Sequence, residues 1–387
     1  MTFTFGRTRS RDRSRPGREG GAGLIASFDL SSLGTGAVTL PSGLSVARSG
    51  TNATVRTGAA TVSAALAANT ARGYSDGTNA GLLIEEARTN VVVGPRVPQS
   101  APWSTAGATP GTANYIAGPD GSIVAMRASC ASGSLCNYQT ITVSAGTYAG
   151  SVWQRYSQVA GSGNVQAILN DNGSVTTPLV GASVGQSWAP YAGTVVVAGT
   201  TFLLISQDGR NQSGAGGQGS QAHDAAVDMF QVELGGFATS FVIGARSADL
   251  LSTSTDLRSG GALKLETGIK PLGASSAYSA DQQVWYADAS NGAKIVQSSR
   301  KVAVTLGGST VTLPVAIPSY SAFDTVRLYV ECGGGIAAHA WVSINGTTTD
   351  LGSQALAGNV PSGTLYLLNN STASVWSGLP QYIKAWR

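Results

Sequence analysis

Apolar positions along this chain alternate with polar ones in short runs, and the runs are cut apart by Gly, Pro, Asn and Ser, the signature of strands joined by turns. Between residues 23 and 94 the runs are Leu24–Phe28, Ala37–Leu40, Leu44–Val46, Ala53–Val55 and Thr61–Ser63, and the Ala-rich stretch Ala59–Ala71 could hold one helical turn. Residues 95–121 are rich in Pro and Gly and carry Trp103 and Tyr115, which predicts a linker. From 122 to 247 strand-like runs return at sandwich spacing: Ile123–Met126, Gln139–Val143, Tyr148–Trp153, Val165–Leu169, Thr194–Val197, Thr201–Ile205 and Ala226–Leu234. Residues 209–220 are too Gly-rich for a strand and predict an exposed loop; without a closing Lys-Ser/Thr they are no phosphate loop.

Residues 248–387 repeat the pattern at Ala262–Glu266, Gln283–Tyr286, Lys294–Val296, Val302–Leu306, Val311–Val315, Thr325–Glu331, Ala340–Ile344, Thr364–Leu367 and Tyr382–Trp386, with Asn345-Gly346 as a hairpin turn. The pattern predicts an all-β protein. Its parts are an N-terminal arm (1–22), a small β region (23–94), the linker (95–121) and two antiparallel β-sandwiches (122–247 and 248–387).

Composition sharpens this picture through charge. Only 11% of the 387 residues are Asp, Glu, Lys or Arg, against roughly 25% in an ordinary domain, so the surface is built from hydroxyls and backbone. The net charge of +4 sits entirely in residues 1–22, where Arg7, Arg9, Arg11, Arg13, Arg15 and Arg18 face only Asp12 and Glu19; residues 23–387 hold 18 basic and 18 acidic side chains. A neutral body argues against nucleic acid as a partner, and no basic patch with stacking aromatics continues from the arm. The arm opens on the alternating Phe3 and Phe5 and then has no apolar face to bury, so it should order only against a partner. A docking peg and a solvated tail are the two readings. No run approaches the roughly 18–20 apolar residues of a membrane span, and the Arg-rich start lacks the apolar core of a secretory signal. Cys130 and Cys136 flank a turn-like spacer that would bring adjacent strands into bridging range; a disulfide and two half-buried thiols both fit.

The most informative stretch is Gly81 to Asn90, GLLIEEARTN, followed at once by Val91, Val92 and Val93. Two apolar runs flank a middle of Glu85, Glu86, Arg88 and Asn90, which suits strand ends joined by a hydrogen-bonded corner. Adjacent carboxylates on extended chain point to opposite faces, so Glu85 and Glu86 cannot be the facing pair of a glycosidase. One of them should pair with Arg88, while Thr89 and Asn90 satisfy local backbone groups. The run resembles the G-L-L-I-E-x-A-R-T-N signature of tailed-bacteriophage fibre and spike proteins, and the likeness extends loosely from Phe28 to Ser252. Residues 122–247, ending at Gln231–Ile243 and Arg246–Asp249, are similar to a carbohydrate-binding-module jelly roll. Residues 248–387 resemble laminin-G or concanavalin-like lectin domains.

Catalytic chemistry finds little support. His223 and His339 lie in no recognisable motif, and neither a Gly-x-Ser-x-Gly elbow nor HExxH occurs. Nothing pairs any two of Asp171, Asp208, Asp228, Glu233, Glu266, Asp324 and Glu331 for glycan cleavage. Asp29, Asp224 and Asp228 could supply hard oxygens for Ca²⁺, yet no loop of the EF-hand kind holds them, so neither a metal nor a cofactor is expected. Trp153 with Tyr156, and Trp188 with Tyr191, repeat an aromatic spacing that could stack on sugar faces; core packing is the competing reading.

Taken with the resemblance, these residues imply a non-enzymatic phage virion protein, a fibre or spike subunit of tail or head. It would dock on neighbouring tail, baseplate, collar or capsid proteins through residues 1–22 and present its sandwiches to host-surface glycan. A homo-oligomer, most often a trimer, exposed on the particle after assembly in the host cytoplasm, is part of the same expectation. A tailspike-like glycan depolymerase and a capsid cementing protein are the alternatives.

Overall fold

The computed structural model describes residues 24–50, 53–96, 103–105, 108–130, 135–156, 166–170, 176–179, 187–199, 201–208, 223–370 and 375–386. The docking residues Phe3, Phe5, Arg7, Arg9, Arg11, Arg13 and Arg15 and the Gly-rich loop 209–220 lie outside them. Among the described residues every regular element is a β-strand, so the chain is all-β as its pattern predicts.

Two sheets of seven strands form the C-terminal sandwich. The first runs Leu24–Asp29, Gly378–Trp386, Ala262–Pro271, Val326–Gly333, Ile336–Ile344, Thr347–Gln354, with Arg258–Ser259 attached to Ala262–Pro271. The second runs Ser309–Ala316, Lys301–Leu306, Asn291–Val296, Gln282–Asp288, Leu365–Leu367, Leu250–Thr253, Leu44–Ala47. The alternation is clean in the first sheet: Val326, Leu328 and Val330 point inward while Arg327, Tyr329 and Glu331 point outward. Inward residues of both sheets meet in one core that includes the fully buried Trp285 and Trp376. Each large aliphatic side chain buried there contributes about 1.5–3 kcal/mol. Asn345 and Gly346 both take positive φ (49° and 92°), as a two-residue hairpin between Ile344 and Thr347 requires.

The middle sandwich pairs two five-stranded sheets. One runs Thr176–Leu179, Gln166–Asn170, Thr201–Asp208, Leu135–Val143, Ser104–Thr105; the other runs Ala189–Val197, Gly146–Tyr156, His223–Leu234, Ile123–Cys130, Ala108–Ala117. Ile141, Val143 and Leu203 from the first meet Val152, Val195, Phe230 and Val232 from the second.

Four expectations are corrected. Residues 23–94 are not closed on themselves: Leu24–Asp29 pairs with the last strand, Phe28 opposite Ile383, and Leu44–Ala47 pairs with Leu250–Thr253. Strands this short cannot bury a face alone, and Phe28 and Val46 find their core in the C-terminal sandwich. Within 95–121, Ala108–Ala117 is an edge strand of the middle sandwich, a place where Pro110 and Gly111 are tolerated because its register shifts between Thr109 and Asn114. Ala59–Ala71 holds no helical turn; Arg56 and Val62 form an isolated bridge and Ala71 starts a strand. Cys130 and Cys136 fall on strands of opposite sheets rather than on paired neighbours, and their side chains lie outside the described residues.

Candidate functional site

The GLLIEEARTN stretch proves to be the corner where the two sandwiches meet. On its C-terminal-sandwich side, Ile84 exchanges backbone hydrogen bonds with Gly378 (3.0 and 2.9 Å) and the Glu86 amide donates to Ser377 Oγ (3.0 Å). On the other side, Asn90 reaches into the middle sandwich. Its Nδ2 donates to the carbonyls of Phe230 and Val242 (3.0 Å each), and its Oδ1 accepts from the amides of Val92 (3.1 Å) and Val232 (3.0 Å). Only the Val92 bond is local, so the expected local role of Asn90 is corrected to a mainly long-range one.

Charge is concentrated between these anchors. Glu85 is buried, its Oε2 2.8 Å from Arg72 Nη2 and 2.7 Å from Arg246 Nη1, and its Oε1 accepts from the Ser240 amide at 2.7 Å. Burial pushes the Glu85 carboxyl up, but Arg246 and Arg72 outweigh it and hold it at about 2. Arg72 also pairs with Asp249, which accepts from the Glu85 amide, and Arg88 pairs with Glu86 as expected while lying 5.2 Å over the Phe237 ring. With Arg48 and Glu233 the corner holds four guanidinium groups and four carboxylates, equal in number; Glu233 accepts from Thr239, and burial pushes its carboxyl up against the pull of Arg88 and Arg246. Its chemistry is structural.

The aromatic pairs proposed for glycan part company. Trp153 and Trp188 are each 7% exposed within one core cluster, where the Arg56 guanidinium lies 5.6 Å over Trp153 and that of Arg155 5.2 Å over Trp188. Their ring faces are covered by protein, so neither offers an open stacking surface, and core packing accounts for both. Tyr191 packs against the core of the middle sandwich, and the Tyr156 side chain lies outside the described residues. The candidate acids are largely committed as well. Asp228 is gripped by Arg96 at 2.9 and 2.6 Å, Glu233 accepts from Thr239, and Asp324 accepts from Ser321 and Asn345 in a turn. Asp29 sits on the C-terminal sandwich and Asp228 on the middle one, so the proposed calcium set is not assembled. Asp171, Asp208, Asp224 and His223 contribute no described side chain.

A different surface collects functional chemistry: the outer face of the seven-stranded sheet that contains Val326–Gly333. Because strand pairing sets Tyr329 opposite both Trp341 and Glu266, and Lys264 opposite both Glu331 and Trp386, alternate residues of four strands converge. The Tyr329 ring meets Trp341 edge-on at 3.8 Å and lies 6.0 Å from Trp386, and His339 lies 5.1 Å from Trp341. All four are half-buried, leaving ring area at the surface. Around them Glu331 accepts from Tyr329 Oη (2.9 Å), Glu266 accepts from Tyr382 Oη (2.6 Å), and His339 lies between Asp350 (2.9 Å) and Glu331 (3.4 Å). Burial together with Glu331 pushes the Tyr329 phenol upward, so it remains a donor. Three carboxylates, Glu266, Glu331 and Asp350, balance Lys264, Lys384 and Arg327. Aromatic area with fixed oxygen acceptors and no net charge is suited to sugar rings, whose C–H faces stack and whose hydroxyls need acceptors. The signal was present in the sequence: Tyr329, Trp341 and Trp386 each occupy the polar phase of an alternating strand.

No protein-family model matches this chain, and no curated protein matches it in sequence. Among solved structures it is similar to the mouse laminin alpha1 chain, domains LG4-5, at 9% identity over 64% of this chain and 85% of that one, with a TM-score of 0.21.

Proposed function

We propose that this protein is a non-enzymatic structural subunit of a tailed-phage particle that binds host-surface glycan through the outer sheet face around Tyr329, Trp341 and Trp386. The observation that carries the binding role is that face, where half-buried rings stand beside carboxylates already oriented by tyrosine hydroxyls. The phage assignment leans on the GLLIEEARTN resemblance, and a signature kept at the junction of two sandwiches is what a presenting stalk needs. Residues 1–22 are the docking arm in this reading, the assembly is a homotrimer, and the chain acts on the particle surface. Among the described residues no helix is long and apolar enough to cross a membrane.

The test is a glycan array read together with oligosaccharide release from polysaccharide, on the purified full chain. Retention without release is expected, and Trp341→Ala should abolish retention at an unchanged melting temperature. Released oligosaccharide would overturn the non-enzymatic reading, and full retention by Trp341→Ala would overturn the choice of face. Separately, removal of residues 1–21 should prevent incorporation into particles while the body stays folded.

A further inference from the structure

Away from that face, the middle sandwich, the small three-stranded sheet (Gly36–Val38, Ala71–Ser75, Ala80–Leu83) and the C-terminal sandwich leave a cleft of about 480 Å³ between them. That lies within the roughly 300–1,000 Å³ of small-ligand sites, which favour domain junctions. Each of the three units supplies part of its wall. Trp153, its ring capped by Arg56, borders the cleft from the outer face of the middle sandwich, Tyr74 and Asp76 come from the small sheet, Phe323 comes from the C-terminal sandwich, and the exposed Thr194 stands at the rim. Tyr74, itself buried, stacks behind Phe323, 6.5 Å between centroids with 22° between planes, so the half-buried Phe323 ring is the aromatic surface the cleft offers.

Phe323 has φ +62°, in the left-handed region that a bulky side chain rarely adopts. Its amide donates to Pro271 O at 2.7 Å, which fixes the backbone there. Strain of this kind, on the order of 1–3 kcal/mol, persists only where the surroundings impose it, and it clusters at ligand clamps. Here it sets an aromatic ring in the wall of a cavity.

The polar groups decide what could enter. Asp76 accepts from the amides of Thr78 (2.8 Å) and Asn79 (2.6 Å) and from Tyr74 Oη (3.3 Å), so its carboxylate is fixed in place. Burial raises the Asp76 carboxyl, but those amides and the nearby Arg56 prevail and keep it ionised. Arg56 spends Nε and Nη2 on the carbonyls of Gly58 and Ala59 and lies over Trp153. Glu85, deeper in the wall, is neutralised by Arg72 and Arg246. One cation and one anion therefore remain, so an anionic ligand would meet Asp76 and a cationic one Arg56. An uncharged ligand with an apolar face and several hydroxyls fits both the Phe323 ring and the rim.

We propose that this junctional cleft is a second binding site, which takes a single neutral sugar unit with its C–H face on the Phe323 ring, backed by Tyr74, and its hydroxyls toward Asp76, Arg56 and Thr194. The site is separate from the outer sheet face and does not depend on it.

Saturation-transfer NMR of the full chain with the methyl glycosides of glucose, galactose, mannose and N-acetylglucosamine tests it. At least one should show transfer strongest at ring C–H protons, at the millimolar affinity typical of a small rigid ligand. Thr194→Trp fills the rim, and Phe323→Gly removes the aromatic surface while relieving the positive φ, so both variants should stay folded. Each should weaken binding by about tenfold or more. Trp341→Ala should leave it unchanged. Absence of transfer from all four sugars, or transfer that survives both cleft variants, would overturn the site. Loss of transfer in Trp341→Ala would assign the sugar to the outer face instead. The polysaccharide retention assay above is read independently, so either site can fail without the other.

Discussion

Glu85 Oε2 lies 2.7 Å from Arg246 Nη1, with both side chains buried, and the same oxygen is 2.8 Å from Arg72 Nη2. One carboxylate thus neutralises guanidinium groups from the small sheet and from the segment joining the two sandwiches. Glu85→Ala would leave two buried cations short of a partner. Removal of one member of such a set costs about 3–5 kcal/mol. Urea denaturation of the full chain should register that loss, while Glu86→Ala, whose side chain is 20% exposed, should cost less.

The same geometry sets a pH dependence. The Glu85 carboxyl titrates at about 2 in the folded protein against an ordinary value of 4.5. A depressed carboxyl contributes stability that is fully present above 4.5 and is lost as pH falls toward 2, because the unfolded chain takes up the proton first. Melting temperature should therefore drop steeply through that window. Glu85→Gln should start from a lower melting temperature at neutral pH and follow a flatter acid limb. Parallel acid limbs for the two proteins would refute the assignment.

Asn90 makes four hydrogen bonds that tie the corner to the middle sandwich, and all four backbone partners are deeply placed. Asn90→Ala leaves two carbonyls and two amides unsatisfied, at about 1–3 kcal/mol for each buried group that water cannot reach. Asn90→Asp keeps the two acceptor bonds and loses both donors, which sets a fresh negative charge against two carbonyls. The aspartate variant should be at least as unstable as the alanine variant. Calorimetry should show the transition of the middle sandwich shifted most.

Alternation made much of this fold legible. Val326–Gly333 and Ile336–Ile344 follow their sequence pattern residue by residue, and Asn345-Gly346 gives the turn between them. Pairing across large separations was hidden, because Leu24–Asp29 reads like any short strand and nothing local reveals that its partner is Gly378–Trp386. The corner was legible as a polar knot, but Arg72, Arg246 and Asp249 reach it from distant strands and carry no mark of doing so. Trp153 and Trp188 misled because regular spacing of aromatics says nothing about which face a neighbouring segment covers, and here Val62 and Phe241 pack against them.

Cys332 is fully buried on the inner face of the first seven-stranded sheet, and burial pushes its thiol up to about 12, with Glu331 adding to the effect. Thiolate is the reactive form, so the group should resist alkylation in the native protein at neutral pH. Peptide mapping after iodoacetamide treatment should find the Cys332 peptide unmodified until denaturant is added. Native labelling at Cys332 would show that this sheet opens readily.

Gly235 packs directly against the corner. Its φ is +148°, and a Cβ placed there would lie 1.6 Å from Arg88 Nη1 and 2.3 Å from Arg88 Cζ. Arg88 has little room to retreat, since it is paired with Glu86 and stacked over Phe237. Gly235→Ala therefore carries both backbone strain and the displacement of a buried cation, together about 2–4 kcal/mol. The two contributions separate in a double-mutant cycle: on an Arg88→Ala background the clash disappears and only the strain remains. Gly235→Ala should then cost less by roughly 0.5–3 kcal/mol, the range found for residues in direct contact. Equal costs on both backgrounds would mean that Gly235 is required for its backbone alone and that the guanidinium moves aside freely.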